Sequence, residues 1–424
     1  MGVIMVQPTA PMPLYGVVAT VARGHVVSVV LIAMVAMLFT AVSYGRLARE
    51  YPSAGSAYTY VGREIHPTLG FLCGWSMLLD YVINPVICTI WCAKAAQNVL
   101  PGLPYVAAVI AFALLFTALN VRKVEASART NAALAGMMGV VIVAFLVAAV
   151  RFLPGANLAQ PFFDPATFHW STFSAGASLA VLTYIGFDGI STLSEEVQNP
   201  RRNILLGIVG TCLIIGLLSA IQCYAAQIVW PGAEAFPDVD TAFVHVAGRA
   251  GGPWLFQAIN TTILLATIGS GSGAVMAGAR LMYGMGRDRA LPSRFFAALD
   301  PIRSVPRNNV LLIGALALVG GLGMSYQLGA ELLNFGAFVG FMGVNLAALR
   351  HQWRSISRQS RIELVPPLAG FAICFYLWIS LSRTAQIVGG LWLTTGLIWG
   401  VLYNKRYATT AAVRGLEHDP SRRG

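Results

Sequence analysis

Leu182-Thr183-Tyr184-Ile185-Gly186-Phe187-Asp188-Gly189-Ile190-Ser191 decides how this chain folds. The stretch sits near the middle of an apolar run, Phe173–Leu193, close to the about 20 residues a helix needs to cross hydrocarbon. Two glycines three apart flank an aromatic ring and a carboxylate. An unpaired Asp at that depth costs about 2.5–3.5 kcal/mol even on the lenient insertion scale, so Asp188 needs water, backbone or an ion beside it. The run is therefore expected to be a membrane span broken near Asp188. The plainer alternative is a kinked helix whose Asp caps the second half. A cap in mid-membrane still implies a break.

Eleven further apolar runs surround this one. They are Met1–Ala22, Val26–Tyr44, Gly70–Val99, Tyr105–Asn120, Ala132–Val150, Ile204–Val229, Trp254–Tyr283, Val310–Met324, Leu332–Leu349, Val365–Leu381 and Ile387–Tyr403. Most are continuous rather than alternating, which excludes a β-barrel. Composition agrees: of 424 residues, 57% are hydrophobic and 11% charged, with a mean hydropathy of +0.69. A soluble domain carries about 25% charged residues. A cytosolic enzyme, a secreted disulfide scaffold and a nucleic-acid module are all excluded. The expectation is an all-α polytopic membrane protein of twelve spans, with the lipid bilayer as its solvent. No basic n-region precedes the first apolar run, so no signal peptide of the usual form is read.

The net charge of +11 is topological. Alternate connections hold Arg46, Arg49 and Arg63; Arg122, Lys123 and Arg129; Arg201 and Arg202; Arg280 to Arg307; and Arg350 to Arg361. With the C-terminal Lys405 to Arg423, these account for all but five of the 28 basic residues. The opposite connections carry only Arg23, Arg151, Arg249 and Arg383, and Lys94 lies within a span, where it is expected to snorkel. The positive-inside rule then puts residues 404–424 in the cytoplasm as a basic tail, and predicts no nucleic-acid partner.

Three other spans carry unusual residues. Segment one is interrupted by Pro8, Pro11 and Pro13, so an undisturbed helix is not expected there. Segment three holds Asp80 and Asn84 one turn apart; Asp80 reads either as a site for a cationic substrate or proton, or as a structural hydrogen bond between helices. Segment eight holds Gly269-Ser270-Gly271-Ser272-Gly273. No strand precedes this run and no P-loop Lys follows, which excludes a phosphate loop. It reads as close helix packing by small residues, or as hydroxyl ligands from Ser270 and Ser272 for a coupling cation. No zinc motif joins the six histidines and no nucleophile elbow occurs outside segment eight, so no enzyme activity, metal or cofactor is expected. All six cysteines fall inside apolar runs and read as small buried hydrophobes.

Glu50-Tyr-Pro-Ser-Ala-Gly-Ser-Ala-Tyr-Thr-Tyr60, Gly186-Phe-Asp-Gly-Ile-Ser-Thr192, Ser194-Glu-Glu-Val-Gln-Asn-Pro-Arg-Arg202 and Arg280-Leu-Met-Tyr-Gly-Met-Gly-Arg-Asp-Arg-Ala-Leu-Pro292 resemble the amino acid–polyamine–organocation superfamily. Leu78-Leu-Asp80-Tyr81 and Pro52–Tyr60 are most similar to its putrescine-importer-like branch. The resemblance implies one transport domain over residues 1–403. It contains a five-plus-five inverted repeat (about 1–150 and 173–350), discontinuous helices one and six, and two extra helices at about 365–403.

In such permeases the helix-one break receives the substrate carboxylate on backbone amides, and the helix-six break receives the amino group on carbonyls, matching the helix dipoles. Carried over, these positions are Gly2, Val3, Ile4 and Met5, and Tyr184, Ile185, Gly186, Phe187, Asp188 and Gly189, with Phe187 as gate. The implied activity is ion-coupled alternating access moving an amino acid or polyamine across the cytoplasmic membrane. Helix one is expected to be truncated, because Gly2 falls where the break belongs, and a late start codon is the favoured cause. The competing reading is a non-transporting truncated permease. The helix-five Lys that replaces sodium in some relatives is lacking in Ala132–Val150, which leaves H+ and Na+ both open as the coupling ion.

Overall fold

The computed structural model describes residues 7–51, 56–122, 128–195, 200–231, 234–354 and 361–404. Among the described residues there is no strand. The α-helices run in the order α1 (Tyr15–Val21), α2 (Val26–Glu50), α3 (Ser56–Glu64), α4 (Pro67–Val99), α5 (Tyr105–Val121), α6 (Ala128–Ala149) and α7 (Trp170–Ala180). They continue as α8 (Pro200–Val229), α9 (Ala242–Arg287), α10 (Ser293–Phe296), α11 (Arg307–Gly323), α12 (Tyr326–Arg354), α13 (Val365–Ile379) and α14 (Arg383–Asn404). Nine helices among the described residues are long and apolar enough to cross a bilayer. The apolar helices α5 and α11 are shorter, at 17 residues each. Lipid offers no partner to a backbone N–H or C=O, so apolar runs become helices that satisfy these groups internally.

Burial divides the bundle into a centre and a rim. In its most apolar window α4 is 83% buried, whereas α13 and α14 are each 22% buried and present apolar side chains outward. The centre is α4 packed on α9 and α12, with α2 lying along α8. Polar side chains placed on these helices are therefore held away from both water and lipid.

Two elements depart from plain spans as the prolines require. Residues 8–14 form successive turns closed by Ala10 N–H to Gln7 C=O and Met12 N–H to Thr9 C=O, both 3.0 Å, and only Tyr15–Val21 is helical. In α9, Gly252 has φ 74°, a left-handed value that glycine adopts without strain, and Pro253 follows it. The 46-residue element is thus two helices joined at that point.

The stretch Ser56–Glu64 is a difference from the sequence reading, which took it as part of a connection. Its buried residues, Ala57, Tyr60, Val61 and Glu64, recur every three to four positions and give it one packed face. Glu64 is buried and accepts from the Tyr51 hydroxyl at 2.6 Å, pairs with His351 Nδ1 at 2.7 Å, and lies 3.7 Å from the Arg354 guanidinium. Burial and the Glu64 carboxylate push the Tyr51 hydroxyl up to about 12, so it stays a donor at neutral pH. Nearby, the Arg350 guanidinium donates to Ile65 C=O at 2.9 Å. At the opposite end, Tyr15 meets Phe236 and Phe243 edge-on at 5.9 and 5.5 Å, and Trp230 packs on Phe236 at 5.5 Å.

Candidate functional site

The break expected over Tyr184–Gly189 is present. Helix α7 ends at Ala180, and a short 3-10 turn carries Val181–Tyr184. Ile185 turns extended at ψ 133°, and Gly186 takes φ 113°. A second 3-10 stretch then runs Asp188–Glu195. The local chemistry explains the stop. Asp188 Oδ1 accepts from Gly186 N–H at 3.2 Å, offering the backbone an alternative to the helical bond. The Ser191 hydroxyl donates back to Asp188 C=O at 2.6 Å.

Neighbouring helices hold both halves in place. The Tyr184 hydroxyl donates to Val30 C=O on α2 at 2.8 Å. The Asn334 amide on α12 donates to Ser178 and Leu179 C=O at 2.8 and 3.2 Å. Those carbonyls sit where α-geometry gives way to 3-10, so Asn334 meets acceptors that the change of helix type releases.

Asp80 on α4 lies at the same level. It and Asp188 are each 4% exposed. Gly336 on α12 allows the close approach: a Cβ there would sit 3.4 Å from Asp80 N and 2.6 Å from Ser76 C=O. The Ser76 hydroxyl donates to Gly336 C=O at 3.0 Å and fixes that contact. Among the described residues, neither carboxylate is ion-paired to a Lys or Arg. Two buried acids with no cation of the protein beside them form a site suited to a cation from outside.

Aromatic rings close one side of this site. Phe187 is fully buried and meets Tyr44 edge-on at 5.7 Å and Phe341 at 5.3 Å. Tyr44 also meets Phe341 at 6.0 Å and Tyr60 of α3 at 6.2 Å. The ring expected as a gate therefore belongs to a four-ring plug spanning α2, α3, the break and α12.

The other expected residues lie elsewhere. Ser270 and Ser272 occupy an unbroken part of α9. The Asn120 amide of α5 donates to both the hydroxyl and the carbonyl of Ser272 at 3.0 Å. Ser270 neighbours Cys88, which is eight residues beyond Asp80 on α4. At 1.5 Å per residue that is about 12 Å along the helix, so the serines and the carboxylates occupy different levels. Gln7 reaches the same region and donates to Ala266 C=O at 3.0 Å. Gly2, Val3, Ile4 and Met5 lie outside the described residues.

Lys94, expected to snorkel, reaches a partner in the connection that precedes α9. Its ammonium pairs with Asp238 at 3.0 Å and stands 5.9 Å above the Tyr105 ring. Burial pushes the neighbouring Asp240 carboxyl upward, and Asp238 adds to the shift.

A bundle of long apolar helices, with a polar break and two carboxylates in its buried centre, defines a multi-pass membrane protein of the transporter class. The chain belongs to the amino acid permease family, whose profile matches residues 2–397, within the amino acid–polyamine–organocation superfamily. It is 33% identical to the low-affinity putrescine importer PlaP of Escherichia coli K12, covering 96% of this chain and 92% of that protein. It is 27% identical to the branched-chain amino acid permease BcaP of Lactococcus lactis, covering 90% and 87%. It is also 27% identical to the vacuolar cationic amino acid transporter 4 of Arabidopsis thaliana, covering 79% and 59%. These relatives are transporters and permeases rather than enzymes.

Proposed function

We propose that this chain is a secondary active permease of the cytoplasmic membrane that imports a polyamine, putrescine foremost, by ion-coupled alternating access. The observation that carries this reading is that Asp80 and Asp188 are both buried, Asp80 beside Gly336 of α12 and Asp188 at a helix break whose Phe187 packs on Phe341 of α12, without a Lys or Arg partner among the described residues. Two carboxylates at mid-membrane repel one another and each costs about 2.5–3.5 kcal/mol unneutralised. A diamine supplies one ammonium to each. Backbone carbonyls released at the break, and the face of Phe187, provide the rest of the shell.

The architecture that supports transport is a single domain of twelve spans in a five-plus-five repeat, with the C-terminus in the cytoplasm. Tyr184, Ile185, Gly186 and Gly189 shape the break, while Gly2, Val3, Ile4 and Met5 are the positions the family resemblance offers for a substrate carboxylate. A proton is the favoured coupling ion, because the Ser272 hydroxyl is already engaged by Asn120. The names of the other relatives favour an amino acid as the second reading; its carboxylate would need amides of the first segment.

Uptake of labelled putrescine, arginine and alanine into proteoliposomes, with and without sodium and a pH gradient, separates these readings. The expected outcome is putrescine uptake driven by an inward proton gradient and indifferent to sodium. Flat traces for all three substrates would overturn the proposal, and sodium-dependent uptake would return Ser270 and Ser272 to the coupling site.

A further inference from the structure

The Tyr44 hydroxyl is fully buried and has no hydrogen-bond partner among the described residues. A buried hydroxyl without a partner loses its water and gains nothing in return. A phenylalanine would fill the same space in the four-ring plug without that loss. The ring meets Phe187 and Phe341 edge-on at 5.7 and 6.0 Å, so packing alone does not call for the oxygen. What the ring does have beside it is the helix break, since it packs on Phe187, the residue that precedes Asp188.

The position of Tyr44 gives this a direction. Its ring touches both Phe187 of the break, at 5.7 Å, and Tyr60 of α3, at 6.2 Å. Helix α3 is pinned to the turn after the break through Ser56 and Ser191, whose hydroxyls are 2.9 Å apart. It is pinned to the end of α12 through Glu64 and His351. Helix α3 follows the Arg-rich end of α2 and carries Arg63, which places it on the cytoplasmic side by the charge asymmetry of the loops. The ring cluster that carries the Tyr44 oxygen thus joins the break to the cytoplasmic-side helix α3.

We infer that the Tyr44 hydroxyl is the inner receiving group for the substrate ammonium, accepting from its N–H as it leaves Asp188 for the cytoplasm. This rests on the amine-permease reading and adds to it a side chain specific to release. In the closed arrangement described here the oxygen waits without a partner. When the plug loosens, it bridges the step from carboxylate to water, so that the ammonium is not stripped of every polar contact at once.

The test is Tyr44→Phe in the full chain, assayed in membrane vesicles of both orientations alongside the wild type. Removing an unpartnered buried hydroxyl is expected to raise the thermal midpoint by about 1–2 °C. The same substitution is expected to raise the apparent KM for putrescine at the cytoplasmic face about tenfold, with the outer-face KM within twofold of wild type. A merely structural tyrosine would not separate the two faces. Tyr44→Leu, which also removes the ring, should show the same asymmetry with a lowered midpoint. Wild-type KM at both faces, or a lowered midpoint in Tyr44→Phe, would overturn the inference. Absence of putrescine transport by the wild type would overturn the function itself, and that result is distinguishable because it precedes any variant.

Discussion

Residues 185–189 and 269–273 are both glycine-rich stretches inside apolar runs, yet one stops its helix and the other does not. Around Gly186 the backbone turns through φ 113°, and Asp188 takes the released N–H. At Gly269–Gly273 the helix passes straight through, with Gly271 against Cys88 and Phe116. Glycine permits a break but does not cause one. The cause is a side chain that gives the backbone another partner, as Asp188 does, or a proline, as at Gly252–Pro253.

Four substitutions sharpen this contrast. Asp188→Asn is expected to have the largest effect, a fall in putrescine uptake of about a hundredfold, since bonds to charged groups are worth about 1.5–3 kcal/mol. The Asn oxygen still accepts from Gly186 N–H, so the unfolding midpoint should barely move; a large drop would mean that the charge, not the turn, holds the break. Gly186→Ala should destabilise by about 1–3 kcal/mol in equilibrium unfolding, because an L-residue is strained at that φ. Gly271→Ala puts a Cβ 2.9 Å from Cys88 Cβ and 3.0 Å from the Phe116 ring. Overpacking there should cost about 1 kcal/mol while sparing uptake at saturating substrate. Gly269→Ala is the smallest and has the opposite sign. Nothing lies within 4 Å of its added methyl, so unfolding should show a gain of about 0.5–1 kcal/mol. Destabilisation at Gly269 would show that segment eight also needs its glycine for motion.

Much of this was legible because lipid leaves a chain few choices. Apolar runs of spanning length became helices within a few residues of their expected ends, as Val365–Leu381 became Val365–Ile379. Asp188 between two glycines announced a break because the cost of its charge is independent of its neighbours. Helix α3 escaped notice because its packed face is short and its composition is that of a loop. The glycine–serine run was ambiguous for a different reason: close packing and cation ligation by Ser270 and Ser272 ask for the same small residues, and the sequence does not show that Cys88 and Phe116 face Gly271. Asn334 stands out as a polar side chain in an apolar run, but its partners, the Ser178 and Leu179 carbonyls, come from a distant helix. The same holds for Lys94, whose partner Asp238 lies 144 positions further along the chain.

Glu64 deserves a mechanical reading. One carboxylate, sealed from water, fastens the end of α2 through Tyr51 and the end of α12 through His351 and Arg354. The buried carboxylate cannot lose all of these partners without being left an uncompensated charge, so the ends of α2 and α12 are latched to α3 through a single group.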